Sequence, residues 1–246
     1  MGVGPGDPEL ITVAGLRALQ AARVVAYPVA RPGAESMART IAAPWMQAGQ
    51  LELPLHLPMT AAVEPRQQGW AAAARALAEQ VGEGADTALL CEGDVSLYAS
   101  ASYLLLSLRQ QQQQTELELR LIPGVTSLAA AAAAAHWPLA LQQQAMLVAP
   151  TPEAPEALLD LLSRAEVLVL LKLHHRWTWV RPLLERQGLL DKTLVAQRLG
   201  WPDQTIVPAR ALRAVSCSYF SLLLIRYCWP TVMPHPLGAE AAPASL

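Results

Sequence analysis

No stretch of this sequence stays apolar for the roughly 18–20 residues that a membrane-spanning helix needs. The best candidates, residues 128–135 and 167–171, are far too short. No membrane role is therefore expected, even though 53% of the 246 residues are hydrophobic and mean hydropathy is +0.25, much of it from alanine and leucine. An excess of charge is missing too. The formal net charge is −2, so the whole molecule offers no electrostatic case for nucleic acid. Lysine is scarce, occurring only at Lys172 and Lys192, and the arginine bias that results is one a GC-rich gene would also produce. Cysteine is limited to Cys91, Cys217 and Cys228, with no CxxC pair, which argues against a structural zinc site and a disulfide framework. His174 and His175 are adjacent and point in different directions, so no shared metal is expected, and no metal site is predicted elsewhere. The first six residues contain neither a basic region nor an apolar core, so no signal peptide is expected and a cytoplasmic location is the default. The glycines Gly2, Gly4 and Gly6 alternate and are interrupted by Pro5 and Pro8, so the GxGxxG dinucleotide fingerprint is lacking as well.

What is present is a repeated strand-turn-helix unit. Ala88-Leu89-Leu90-Cys91 is a short apolar run that reads as a buried strand. It breaks at Glu92-Gly93-Asp94 and resumes as a helical stretch over residues 99–108. Open α/β proteins place ligands at the carboxyl ends of strands, where such a turn lies. Two carboxylates beside a glycine suit a phosphate poorly and suit a ribose hydroxyl, an amine or a cation better. A helix cap by Asp94 accounts for the pattern equally well. The second unit is a strand over residues 117–122, the turn Pro123-Gly124-Val125-Thr126-Ser127 and a helix over 128–135, with the hydroxyls of Thr126 and Ser127 at the helix start, again open to capping.

The rest of the chain alternates in the same way. A rigid glycine-proline loop leads into a helix over residues 10–22, with Thr12 as a plausible N-cap. Little chain precedes that loop, so the first strand is either a stub or begins upstream of Met1. Strands are expected at 24–27, 51–57, 147–149, 167–173, 193–198 and 220–226, and helices at 36–43, 69–81, 156–164 and 177–187. Residues 59–68 read as a loop, 200–203 as a turn, and Gln110–Gln114 as a low-complexity run without function. This alternation predicts an α/β chain with mainly parallel sheets. The expected division is residues 1–122, residues 123–229 and a disordered tail over 230–246, with two domains meeting at a cleft.

Three segments, Gly2 to Thr12, Cys91-Glu92-Gly93-Asp94-Val95-Ser96-Leu97-Tyr98 and Pro123-Gly124-Val125-Thr126-Ser127, fall in the order and spacing of one family. They resemble the tetrapyrrole methylases, S-adenosylmethionine-dependent enzymes of corrin and sirohaem synthesis. The resemblance covers about residues 1–229. Val95, where most members carry proline, together with Ile41-Ala42-Ala43-Pro44-Trp45 and His136-Trp137-Pro138-Leu139, looks like the branch that methylates carbon 20 of precorrin-2 or cobalt-factor II. The resemblance implies a folded S-adenosylmethionine in the cleft between two α/β domains, and a homodimer. It implies cofactor contacts from Glu92, Gly93, Asp94, Leu97, Thr126 and Ser127, with a looser match at Lys172. It places Pro5, Gly6 and Asp7 on the substrate side, at the floor of the tetrapyrrole cleft. Three features depart from the family pattern: the first strand is nearly missing, the glutamine run is an insertion, and Pro28 stands near a catalytic Asp proposed for sirohaem-forming members, so no base is transferred.

Methyl transfer from a sulfonium is a backside displacement, a problem of alignment that requires no metal. Bridging carbons of reduced tetrapyrroles are electron-rich, so the acceptor brings its own nucleophilicity. Arginines at cleft loops, Arg31 first, are expected to bind substrate carboxylates, with a plain solvated Arg31 as the competing reading. Two other functions remain open: a methyltransferase of the same fold acting on ribosomal RNA or a translation factor, and a non-catalytic binder of tetrapyrrole or cofactor.

Overall fold

In the computed structural model the described residues are 1–60, 62–82, 84–111 and 118–230. The chain divides into two compact units, Met1–Ser127 and Leu128–Leu246. The first holds a parallel sheet of β1 (Val24–Val29), β2 (Leu51–His56) and β3 (Thr87–Leu89) in the order β2-β1-β3. The apolar residues Val24, Val25 and Ala26 are buried, as expected of a central parallel strand. Proline enters both β1 and β2 without breaking them. Pro28 follows the last β1 residue paired with β3, and Pro54 lies on edge strand β2, so neither removes a needed ladder donor. The helices here are α1 (Val13–Ala21), α2 (Met37–Ala42), α3 (Val63–Gly82) and α4 (Ser100–Gln111). The hydroxyls of Thr12 and Ser36 cap α1 and α2, accepting from the N–H groups of Gly15 and Arg39. α3 and α4 pack on the sheet through Ala73, Ala74, Leu77, Leu104 and Leu108, around Ala26 and Leu55.

The second unit carries α5 (Ser127–Ala134, starting at the boundary), β4 (Met146–Pro150), α6 (Pro155–Leu162), β5 (Val167–Leu171), α7 (Trp177–Arg186), β6 (Thr193–Gln197), β7 (Thr205–Pro208) and β8 (Ser221–Arg226). Its sheet runs β4-β5-β8-β6-β7. β4 and β5 are parallel, whereas β8 lies antiparallel to β5 and β6, and β7 antiparallel to β6. Of the mainly parallel sheets expected, the first is fully parallel and the second is mixed. β5 and β8, central and covered, show the continuous apolar runs 167–171 and 222–225. Trp177, Val180, Leu183 and Leu184 form the buried stripe of α7.

Several boundaries differ from the sequence expectation. Residues 63–68, expected in a loop, form the start of α3, because Pro65 falls in a first turn where its missing N–H has no helical partner to lose. The strand expected at 117–122 forms no ladder in its described part, 118–122. Leu117, Gln112 to Gln114 and the tail from residue 231 lie outside the described residues. β7 has no counterpart among the expected strands. In the N-terminal segment, Gly2 is joined to Cys91 by a parallel bridge and Gly4 to Gly93 by an antiparallel one.

Candidate functional site

The three sequence segments converge within the first unit. Val3 N–H donates to the Cys91 carbonyl (2.9 Å), and Gly4 and Gly93 exchange backbone hydrogen bonds of 3.2 and 2.8 Å. Gly2 N–H donates to the Ile122 carbonyl (3.0 Å), and Thr12 Oγ1 to that of Pro123 (3.4 Å). The N-terminal loop is thereby pinned to both turns. Its far end is fixed by Trp45, whose Nε1–H donates to the Pro8 carbonyl (3.0 Å). Glycine is required where the loops touch. A Cβ on Gly124 would lie 2.2 Å from the Gly93 carbonyl oxygen, and one on Gly2 2.5 Å from the same atom. Both neighbours are backbone, so no side chain can swing aside.

Asp94 is the clamp of this arrangement. It is 8% exposed. Its Oδ2 accepts from Gly124 N–H (2.8 Å), while Oδ1 accepts from Ser96 N–H (2.9 Å) and the Ser96 hydroxyl. Burial alone would raise its pKa, but these donors outweigh burial, and the carboxyl is held below its ordinary value. The expectation that Asp94 lines a cofactor therefore meets a carboxylate whose oxygens already join the two turns. Ser96 and Gly124 complete the clamp, and the bond from residue 94 to residue 124 has no local signature in the sequence. Asp7 is likewise engaged within the protein, where its Oδ1 accepts from Glu9 N–H (2.8 Å) and caps a short 3₁₀ helix, Pro8–Leu10.

The remaining expected residues sort as follows. Gly93 has φ +68°, and an added Cβ would meet nothing within 4 Å, so this face of the turn is open to close approach of a ligand. Glu92, Leu97, Thr126 and Ser127 are half-buried in the same unit, and Ser127 begins α5. Pro5 and Gly6 are buried in the N-terminal loop, and Arg31 is exposed in the turn after β1. Lys172 belongs to the second unit, where it follows β5 with φ +59° and an exposed side chain. Cys91 is buried, and its thiol is pushed up to about 11 by desolvation, which leaves it a packing residue and not a nucleophile. His174 Nδ1 lies 3.1 Å from the Cys217 carbonyl, and no cluster of three metal-ligating side chains occurs among the described residues. No described helix is long and apolar enough to cross a membrane.

The sequence model of the Tetrapyrrole (Corrin/Porphyrin) Methylases matches residues 1–213. This chain belongs to that family. Among its curated relatives is the cobalamin biosynthesis protein CobIJ of Mycobacterium tuberculosis, 35% identical over 233 residues, which make up 92% of this chain and 45% of CobIJ. The chain thus spans about half the length of that relative. The cobalt-precorrin-2 C(20)-methyltransferase of Salmonella typhimurium is 31% identical over 234 residues, 93% of this chain and 95% of the relative. In fold, the chain is similar to uroporphyrin-III C-methyltransferase from Thermus thermophilus, solved in complex with S-adenosyl homocysteine, with a TM-score of 0.61, 22% identity, and coverage of 92% of this chain and 95% of that one.

Proposed function

We propose that this tetrapyrrole methylase is an S-adenosylmethionine-dependent C-methyltransferase that methylates carbon 20 of precorrin-2 or cobalt-factor II. One observation carries the methyltransferase reading: three loops, each with a motif of the family, are pinned to one another beside the open glycine turn at Gly93. The relation to the Salmonella C(20)-methyltransferase over nearly its whole length supports the choice of acceptor. The residues fit such a cofactor, because Gly93 leaves space where a side chain would stand, and Glu92, Thr126 and Ser127 are hydrogen-bonding groups suited to hydroxyls and an amine. When bound, S-adenosylmethionine supplies an electrophilic methyl group.

In this reading Glu92, Gly93, Thr126 and Ser127 bind the cofactor and Leu97 packs beside it, and Lys172 is a further cofactor residue. Asp94 holds the frame without touching the ligand. Because that frame is fixed before binding, little ordering is left to be done in bringing donor and acceptor into line. Pro5, Gly6 and Asp7 form the substrate side, and Arg31 binds acetate or propionate carboxylates through its planar guanidinium. No side chain is assigned as proton acceptor. The working form in this proposal is a cytoplasmic homodimer.

The test is an anaerobic assay with precorrin-2 and cobalt-factor II supplied separately, together with methyl-labelled S-adenosylmethionine. Label at carbon 20 of either is expected, and Arg31→Ala should raise KM with little change in kcat. Cofactor binding with transfer to neither substrate would overturn the acceptor, and absence of cofactor binding would overturn the whole reading.

A further inference from the structure

β4, β5 and β6 end at one edge of the second sheet, where Pro150 is paired with Leu171, Leu171 with Leu222, and Gln197 with Ser221. Three non-glycine residues at this edge have a left-handed backbone: Lys172 (φ +59°), His174 (φ +41°) and Arg198 (φ +48°). That conformation is unfavourable for a residue with a Cβ and persists only where the surroundings fix it. The segment after β5 is fixed in this way. Thr151, 3% exposed, donates both its N–H (2.7 Å) and its hydroxyl (2.9 Å) to the Leu171 carbonyl. The Arg176 guanidinium donates to the Lys172 carbonyl (3.2 Å), and the Arg176 N–H to the Leu173 carbonyl (3.0 Å). Leu173 is fully buried, and its N–H donates to the Ser221 carbonyl (3.4 Å), while the His174 N–H donates to Ser221 Oγ (3.4 Å).

The charges at this edge are unevenly paired. Arg176 also forms an ion pair with Glu153, and Arg198 one with Asp203. Hydrogen bonds from these arginines hold both carboxyls below their ordinary values. Lys172 is exposed, and no carboxylate pairs with it among the described residues. Holding Arg176 in place is itself unfavourable, because its Nε is buried without a hydrogen-bond partner. Glycine would adopt the backbone of residue 172 without strain and would present no side chain. What the clamped segment adds is one unpaired ammonium group at a fixed point of the edge. The carboxyl ends of parallel strands are where open α/β sheets take ligands.

We infer that Lys172 binds a carboxylate of a ligand, and that Arg176 is the positioning residue that fixes it there. The inference rests on the function proposed above and names the chemical group that Lys172 meets. An ammonium with no partner in the protein favours a carboxylate over a hydroxyl or a ring nitrogen, because the hydrogen bond is then ionic at both ends. Lysine suits this as a compact point charge on a flexible stem, whereas the two arginines of the edge are tied to carboxylates of the protein. Two ligands of the proposed reaction carry the group: S-adenosylmethionine in its methionyl part, and the acceptor in its acetate and propionate side chains.

The test titrates the full chain with S-adenosylmethionine, with its decarboxylated analogue and, anaerobically, with precorrin-2 or cobalt-factor II. Lys172→Gly is the informative variant. Its melting temperature should match the parent's, because relief of the left-handed strain offsets glycine's greater freedom in the unfolded chain. Its affinity for the carboxylate ligand should fall about tenfold or more, the loss of one hydrogen bond to a charged group. If the carboxylate is the cofactor's, the parent should prefer S-adenosylmethionine to the decarboxylated form and the variant should lose that preference. If it is the acceptor's, cofactor affinity should hold and acceptor affinity should fall. Arg176→Met should weaken the same ligand and add little in the Lys172→Gly background, since Arg176 acts through Lys172. An additive loss would overturn the role of Arg176. Unchanged affinity for both ligands in Lys172→Gly would overturn the role of Lys172. Both arms are read as binding, so an absence of methyl transfer, which would overturn the proposed activity, does not move them. A parent that binds neither ligand would overturn this inference and the function it rests on together.

Discussion

Replacing Asp94 by asparagine tests the frame of the site with almost no change in shape. In the native protein one carboxylate serves three donors: Gly124 N–H on Oδ2, and Ser96 N–H and Oγ–H on Oδ1. Asparagine offers one carbonyl oxygen and one NH₂. If the oxygen faces Ser96, the NH₂ confronts Gly124 N–H; if it is flipped, the NH₂ confronts Ser96 N–H. Either orientation loses at least one hydrogen bond to a charged acceptor and leaves a backbone donor unmet in a part-buried place. The expected cost is about 1.5–3 kcal/mol. Alanine leaves both amides unmet and should cost about 3–6 kcal/mol. Urea titration measures the stability, and calorimetry with S-adenosylmethionine measures the site. Affinity for the cofactor should fall at least about tenfold in Asp94→Asn, since each 1.4 kcal/mol of lost preorganisation corresponds to that factor.

The sign of the pH dependence follows from the depressed pKa of Asp94. Its stabilisation is fully present above the unfolded carboxyl value of 3.8 and is lost as pH falls through the lower, folded value. The difference in stability between parent and Asp94→Asn should therefore be constant from neutral pH down to about 5 and shrink at lower pH. An Asp94→Asn protein within about 0.5 kcal/mol of the parent at neutral pH, with unchanged cofactor affinity, would refute the claim that this carboxylate ties the turns together.

Gly124→Ala should destabilise by at least about 1–3 kcal/mol and abolish cofactor binding, because its Cβ would meet the Gly93 carbonyl oxygen at 2.2 Å; calorimetry and urea titration check both. A thiol reagent at pH 8 should label the exposed Cys228 first and leave Cys91 and Cys217 largely unmodified, as burial raises both of the latter to about 11; mass spectrometry of the time course reads this. Glu52→Gln removes the charge that pairs with Arg39, an interaction that holds the Glu52 carboxyl down to about 2, with Tyr27 adding a further hydrogen bond; at this partly exposed position the loss should stay below about 1 kcal/mol in urea titration.

What the sequence disclosed was decided locally. Thr12 and Ser36 cap helices because a hydroxyl before a helix can reach an N–H three residues on. The run over 167–171 reads as a covered strand because both of its faces are buried. What it concealed depends on distant partners. Nothing near Asp94 announces that its second oxygen meets Gly124, thirty residues away. Pro28 looks like a strand end and is not, because β3 stops pairing just before it. β7 is a short antiparallel edge strand whose apolar content is two residues, Ile206 and Val207, too little to stand out from a turn. The mixed second sheet is hidden for a related reason. The antiparallel placement of β8 between β5 and β6 is set by chain topology, and its residues are as apolar as those of a parallel strand.

The site also bears on what the motif residues report. Gly2, Gly124 and Asp94 are fixed by contacts of the protein with itself: two backbones too close for a Cβ, and a carboxylate shared between turns. Any acceptor molecule is compatible with that frame. A match at these positions therefore identifies the fold and the family, and says little about which carbon is methylated. The discriminating side chains must be those on the substrate side of the frame, with exposed Arg31 the first candidate. Exchanging Arg31 while retaining Gly2, Asp94 and Gly124 should change acceptor preference in the labelled assay and leave the unfolding midpoint and cofactor affinity close to those of the parent. A loss of folding from that surface exchange would place Arg31 in the frame instead.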